Sequence, residues 1–151
     1  MLRNPHTILL VDDDPLSLKM LERLLKRQFR VLTAPDGKRA LELLEKEPIS
    51  LILTDQDMPE MSGIELLQKS RLINERIVRM VVTANRDSKT FIEALRQAGA
   101  VRVITKPWEP DKVSRAVCEA LERFTVTAAT KQAIDQLHRA NEKLNKFVRH
   151  R

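Results

Sequence analysis

Residues 7–15 read TILLVDDDP. An apolar run, Ile8 to Val11, stops at three consecutive aspartates, Asp12 to Asp14, and Pro15 follows. A short apolar run bounded by turn residues has the signature of a buried strand. Asp14-Pro15 then supplies an N-cap and a proline at the first helical position. The ending recurs along the chain: LILT (51–54) ends in Asp55, RMVV (79–82) in Thr83, and VRVIT (101–105) in Lys106. As parallel strands of one sheet, these runs would have their C-terminal ends along one edge, where open α/β sheets bind ligands. Three carboxylates, a hydroxyl and an ammonium would then converge on one shallow site, which suits a divalent metal and a phosphoryl group.

The segments between these runs support the sheet. Leu16, Met20, Leu21, Leu24 and Leu25 form a stripe at helical spacing. A second short apolar run covers 29–34, and Pro35-Asp36-Gly37 marks a turn and cap. Ala40, Leu41, Leu43 and Leu44 form the next helical stripe, ended by Pro48. Residues 50–54 look like a strand buried on both faces. After the loop from Gln56 to Gly63, Ser62 and Glu65 fit a capping box for a helix to about Leu72. Residues 77–83 are the fourth strand, and Asp87 is predicted to cap a helix carrying Phe91, Ile92 and Leu95. Gly99 stands where a helix C-terminal glycine belongs. Residues 100–105 are the fifth strand, and Pro110 opens a helix through Val113, Val117, Leu121 and Phe124. Strand then helix, five times, implies an α/β fold with a doubly wound five-stranded parallel sheet and right-handed crossovers.

The chain of 151 residues suggests one domain, 1–125, with a helical extension over 126–151. No stretch approaches the ~20 apolar residues of a membrane span, and nothing resembles a signal peptide, so a cytoplasmic location without membrane contact is expected. The single cysteine, Cys118, excludes an intramolecular disulfide and is expected to be a buried structural thiol. The net charge is +6, but the extension holds six Lys/Arg and two acids, leaving only +2 on the first 125 residues. With 3% aromatic residues and no tyrosine there is little to stack on bases, so no direct nucleic-acid binding is expected.

Crowded carboxylates repel unless something positive sits among them, and Mg²⁺ characteristically takes one or two carboxylates while bridging to phosphate. Asp13 and Asp55 are candidate direct ligands, and Asp12 a holder of metal-bound water. Asp14 is accounted for as a helix-start acid. Asp55 is not, because no helix starts until Gly63. A carboxylate oxygen is also a competent nucleophile toward phosphorus. Thr83 offers a hydroxyl donor and Lys106 a compact positive charge for phosphoryl oxygens.

At this point the sequence resembles the receiver domain of the two-component response regulator family. LLVDDDP matches the acidic first-strand motif, LTDQDMPEMSG the phosphorylation-site motif, VVTAN the switch threonine and ITKPW the lysine-proline pair. The match covers residues 7–124. It implies the flavodoxin-like (βα)5 receiver fold, with Mg²⁺ held by Asp13, Asp55 and the main-chain carbonyl of Asp57, and Asp12 assisting. It implies that Asp55 accepts a phosphoryl group from a phosphohistidine of a sensor histidine kinase or phosphotransfer protein. Thr83 and Lys106 would hold the transferred oxygens, and Lys106-Pro107 would be cis. Asp57 and Asn85 would flank the path of a hydrolytic water. One position departs from the family's commonest pattern: Val103 stands where an aromatic residue usually couples to the threonine, so the usual aromatic switch is missing.

The resemblance implies a signalling domain, not an enzyme acting on other molecules, switching dimerisation or an output domain after residue 151. Two other readings compete: a phosphatase or hydrolase with an Asp nucleophile on a similar sheet, and a non-phosphorylated receiver-like binding module. The first lacks a segment to form a cap or substrate pocket; the second sits badly with all five active-site residues being present. Trp108 is read as core beneath the loop or as a partner surface. In the extension, Ile134, Leu137, Asn141, Leu144 and Val148 follow 3-4-3-4 spacing with Asn141 at an a-like position, the pattern of a short dimerising coiled coil.

Overall fold

The structure is a computed structural model and describes residues 5–84 and 89–149. The expected roles of Asn85 and Asp87 lie outside the described residues, as does the side chain of Phe124. Five strands alternate with five helices: β1 (Thr7–Val11), α1 (Pro15–Leu25), β2 (Arg30–Ala34), α2 (Gly37–Lys46), β3 (Leu51–Asp55), α3 (Gly63–Ile73), β4 (Val78–Thr83), α4 (Lys89–Gln97), β5 (Ala100–Thr105) and α5 (Pro110–Arg149). Every pairing is parallel, and the strand order is β2-β1-β3-β4-β5. In this doubly wound, flavodoxin-like order the chain reverses its direction of travel across the sheet between β1 and β3. The crevice at their C-terminal ends is the topological switch point.

The helix starts follow from the residues read above. Asp14 Oδ1 accepts from the Leu16 N–H at 3.1 Å, and Ser17 Oγ donates to Asp14 Oδ2 at 2.8 Å. Asp36 Oδ1 caps α2 through the Arg39 N–H, and Ser62 Oγ caps α3 through the Glu65 N–H. Gly99 turns the chain out of α4 with φ +77°, the left-handed region that suits glycine. Helix α2 ends at Lys46, two residues before Pro48, because a residue preceding proline is pushed out of the helical region.

The sheet divides two apolar clusters. On one face Ile8, Leu10, Leu53, Met80 and Val82 pack with Leu21 and Leu25 of α1 and Val113, Val117 and Leu121 of α5. On the other, Leu9, Val11, Ile52 and Val81 pack with Leu44 of α2, Leu66 and Leu67 of α3 and Leu95 of α4. Alternate residues of β1 serve opposite clusters, so β1 is buried throughout. Strands β3 and β4 are buried along their whole length too, which explains their unbroken apolar runs. Cys118 is partly buried against the α1/α5 cluster. Burial, then the charges of Glu122 and Glu119, pushes its thiol up, the opposite of what a reactive thiolate needs. Helix α5 continues past the domain to Arg149, and residues 132–148 are exposed.

Candidate functional site

The three acids meet at the switch point. Asp12 follows β1 and Asp55 ends β3, two strands paired through Val11 and Thr54. One carboxylate oxygen from each of Asp12, Asp13 and Asp55 lies within 4.8 Å of the others. Asp12 and Asp55 are buried, and Asp13 is exposed, so the trio opens to solvent on one side. The Asp14 N–H donates to Asp12 Oδ1 at 2.9 Å and fixes that carboxylate against the turn.

Lys106 reaches the trio from the far side. Its Nζ lies 2.6 Å from Asp55 Oδ1. The two groups form a close ion pair, and Asp55 Oδ1 is fully buried. Burial works against the charged lysine, but Asp55, then Asp12 and Asp57, outweigh it and hold the ammonium above its usual range. Burial also pushes the Asp12 carboxyl up to about 6. The Asp14 N–H opposes this rise, and the negative charge of Asp55 adds to it.

These features suit a cation. Three carboxylates crowd around the Lys106 ammonium, with Asp55 Oδ1 fully buried, and the buried Asp12 carboxyl is driven toward its neutral form. A hard divalent cation with oxygen ligands relieves both, and the open side leaves room for water or phosphate among its ligands. The residues fit.

Thr83 ends β4 one strand further along, buried, paired in register with Thr105. Its carbonyl accepts from the Lys106 N–H at 2.9 Å, which ties the lysine's backbone to the threonine's strand. The Lys106-Pro107 bond is cis. Asp57 is exposed on the loop after β3. Val103 is partly buried beside an open groove between α4 and β5, of about 800 Å³, which Phe91 and Trp108 also line. Trp108 packs against the α1/α5 cluster and also lines that groove.

Two residues that fix the site had no sequence signal. Gln56 Oε1 accepts from the Ile64 N–H at 2.9 Å, and its carbonyl accepts from the Gly63 N–H at 3.0 Å, so the residue after Asp55 clamps the start of α3. Thr54 Oγ1 donates to the Asp55 carbonyl at 2.9 Å inside the core. Both act through contacts that no periodicity reports. Gly63 completes the clamp: a Cβ there would stand 2.5 Å from the Asp55 carbonyl oxygen and 2.9 Å from Gln56 Cα.

The model of the response regulator receiver domain family matches residues 8–118. The chain belongs to this family. The receiver is 40% identical over 116 residues to the hydrogenase transcriptional regulatory protein HoxA of Cupriavidus necator, a match covering 77% of this chain but only 24% of HoxA. It is 40% identical over 123 residues to the two-component response regulator ORR5 of Oryza sativa subsp. japonica, covering 78% of this chain and 89% of that protein. Among solved structures, the receiver resembles a CheY-like response regulator receiver domain protein from Methanospirillum hungatei, with a TM-score of 0.78 and 28% identity over 82% of this chain and 99% of that one. As a receiver of two-component response regulators it has a role in phosphorelay signalling; the phosphatase and the non-phosphorylated binding module are not favoured. No helix among the described residues is long and apolar enough to cross a membrane.

Proposed function

We propose that Asp55 is the phosphoacceptor of this receiver and that Asp12, Asp13, Asp55 and the main-chain carbonyl of Asp57 hold Mg²⁺. The observation that carries the reading is the buried Asp55 carboxylate, set between two further carboxylates and the Lys106 ammonium. An Asp55 oxygen attacks the phosphorus of a phosphohistidine; the P–N bond breaks, and the imidazole leaves with the bonding pair and takes up a proton. Bound Mg²⁺ supplies positive charge that offsets the negative charge gathering on the phosphoryl oxygens. Lys106 would neutralise a phosphoryl oxygen, and the Thr83 hydroxyl would donate to another. Before transfer the same lysine steadies the free carboxylate.

The phosphodonor is a sensor histidine kinase or phosphotransfer protein in the cytoplasm, and the domain over 1–125 acts on no substrate beyond its own phosphoryl group. With Val103 beside the α4–β5 groove no tyrosine or phenylalanine ring on β5 reports the state of Thr83. The signal leaves through backbone movement of α4 or through α5 toward an output domain beyond Arg151. HoxA, of which the match covers a quarter, is named a transcriptional regulator, which supports an output of that kind.

Incubation with a small-molecule phosphodonor and Mg²⁺ is expected to add ~80 Da, one phosphoryl group, to the chain. Chelation of Mg²⁺ or Asp55→Asn is expected to abolish the addition. An unmodified wild-type mass, or an equal addition to the variant, would overturn the reading.

A further inference from the structure

We infer that residues 132–148 of α5 pair with the same segment of a second copy as a parallel, in-register coiled coil. This contact does not depend on the chemistry at Asp55. The helix runs to Arg149, so more than twenty residues extend past Leu121, the last buried residue of α5 among those whose burial is described. In proteins most helical stability comes from packing of an apolar face rather than from propensity. Yet Ile134, Leu137, Leu144 and Val148 are 48–64% exposed in the single chain.

With Ile134 at position a, Asn141 and Val148 are also at a, and Leu137 and Leu144 are at d. Over 132–148 every Asp, Glu, Lys and Arg then falls at b, c or f: Asp135, Arg139, Glu142, Lys143 and Lys146. The g positions hold Ala133, Ala140 and Phe147, and the e positions hold His138 and Asn145. The seam is therefore apolar apart from Asn141, with no Asp, Glu, Lys or Arg flanking it, and the exposed ring of Phe147 adds apolar surface beside Val148. The outer face stabilises its own helix, with Asp135 and Arg139, and Glu142 and Lys146, at i, i+4 spacing.

Asn141 decides the partner and the direction. Its amide stands in the middle of the apolar seam and needs both a donor and an acceptor. In a parallel, in-register pair, a faces a, and two Asn141 amides satisfy each other. In an antiparallel pair each amide would face a leucine, and in a lipid surface it would face hydrocarbon. The charge also disfavours lipid. The segment carries three basic and two acidic residues, a balance of +1, where anionic membranes attract clusters of lysine and arginine.

The test is sedimentation of the whole chain over a concentration series, with and without phosphodonor, together with a cysteine variant. The wild type is expected to sediment at twice its 17.4 kDa chain mass. Leu137→Asp is expected to return it to the monomer while leaving phosphoryl addition unchanged, since position 137 is remote from the site. Leu144→Cys in a Cys118→Ser background is expected to form a disulfide-linked dimer on mild oxidation, because equivalent d positions face each other only in the parallel pair. A wild type monomeric at every concentration overturns the proposal. So does a dimer that Leu144→Cys fails to cross-link, or a monomer that co-sediments with vesicles of anionic phospholipid.

Discussion

At Asp55 two opposing demands meet in one side chain. The carboxylate is 4% exposed, yet it must be ionised to attack phosphorus. Lys106 meets that demand while the site is free, since its ammonium is 2.6 Å from Oδ1 and is itself held above its usual pKa by the acids. The lysine side chain is a third exposed, so water screens part of the attraction. Lys106→Ala should therefore lower metal-free stability by only about 1–2 kcal/mol, less than the loss of a fully buried partner. The variant leaves three carboxylates with one cation fewer. Addition of Mg²⁺ should then raise its melting temperature by more than it raises that of the wild type. Thermal denaturation of both proteins in chelator and in Mg²⁺ checks this, and equal shifts would mean that Lys106 and the metal do not serve the same charge. The phosphoryl addition to Lys106→Ala should also be slower, because one phosphoryl oxygen loses its counter-charge.

At the scale of elements, the loop between β3 and α3 holds the acceptor in place through backbone contacts. Gly63 lies against the Asp55 carbonyl and Gln56 Cα, neither of which is able to step aside without moving the acceptor. Gly37, at the start of α2, faces the Met61 side chain, a flexible neighbour. Gly63→Ala should cost about 1–3 kcal/mol and slow phosphoryl addition, whereas Gly37→Ala should leave both nearly unchanged. Chemical denaturation paired with the phosphorylation rate separates the two; equal, small effects would show that the loop gives way. The elements themselves were largely readable from residue order. Apolar runs gave β1, β3 and β4 because both faces of those strands are buried, and Asp14, Asp36 and Ser62 marked helix starts through their own side chains. Arg79 escaped such a reading. It sits in a buried strand, 7% exposed, and its guanidinium donates to the carbonyls of Gly99, Glu75 and Asn74. A charged residue in an apolar run is explained only by the carbonyls it reaches, two in the turn just before β4 and that of Gly99 twenty residues on, and the bulge beside it, where Val101 drops out of register, depends on pairing with β5. Gln56 and Thr54 were missed because their contacts, to the Ile64 N–H and the Asp55 carbonyl, follow no periodic pattern.

Across the whole molecule, the sheet order places the site and the long helix at separable positions. The acids belong to the switch point between β1 and β3, while α5 packs beneath β4 and β5 and carries on beyond the domain. The chemistry at Asp55 and the pairing of the extension are thus two claims that stand or fall apart. The first is central, and its most direct measurement is the position of the phosphoryl group itself. Brief phosphorylation, reduction with borohydride and peptide mapping convert an aspartyl phosphate into homoserine at the residue that carried it. Homoserine is predicted at position 55, in Mg²⁺-dependent yield, and nowhere else in the chain. Homoserine at Asp12, Asp13 or Asp57, or a phosphoryl group found on a residue that borohydride leaves unchanged, would contradict the account.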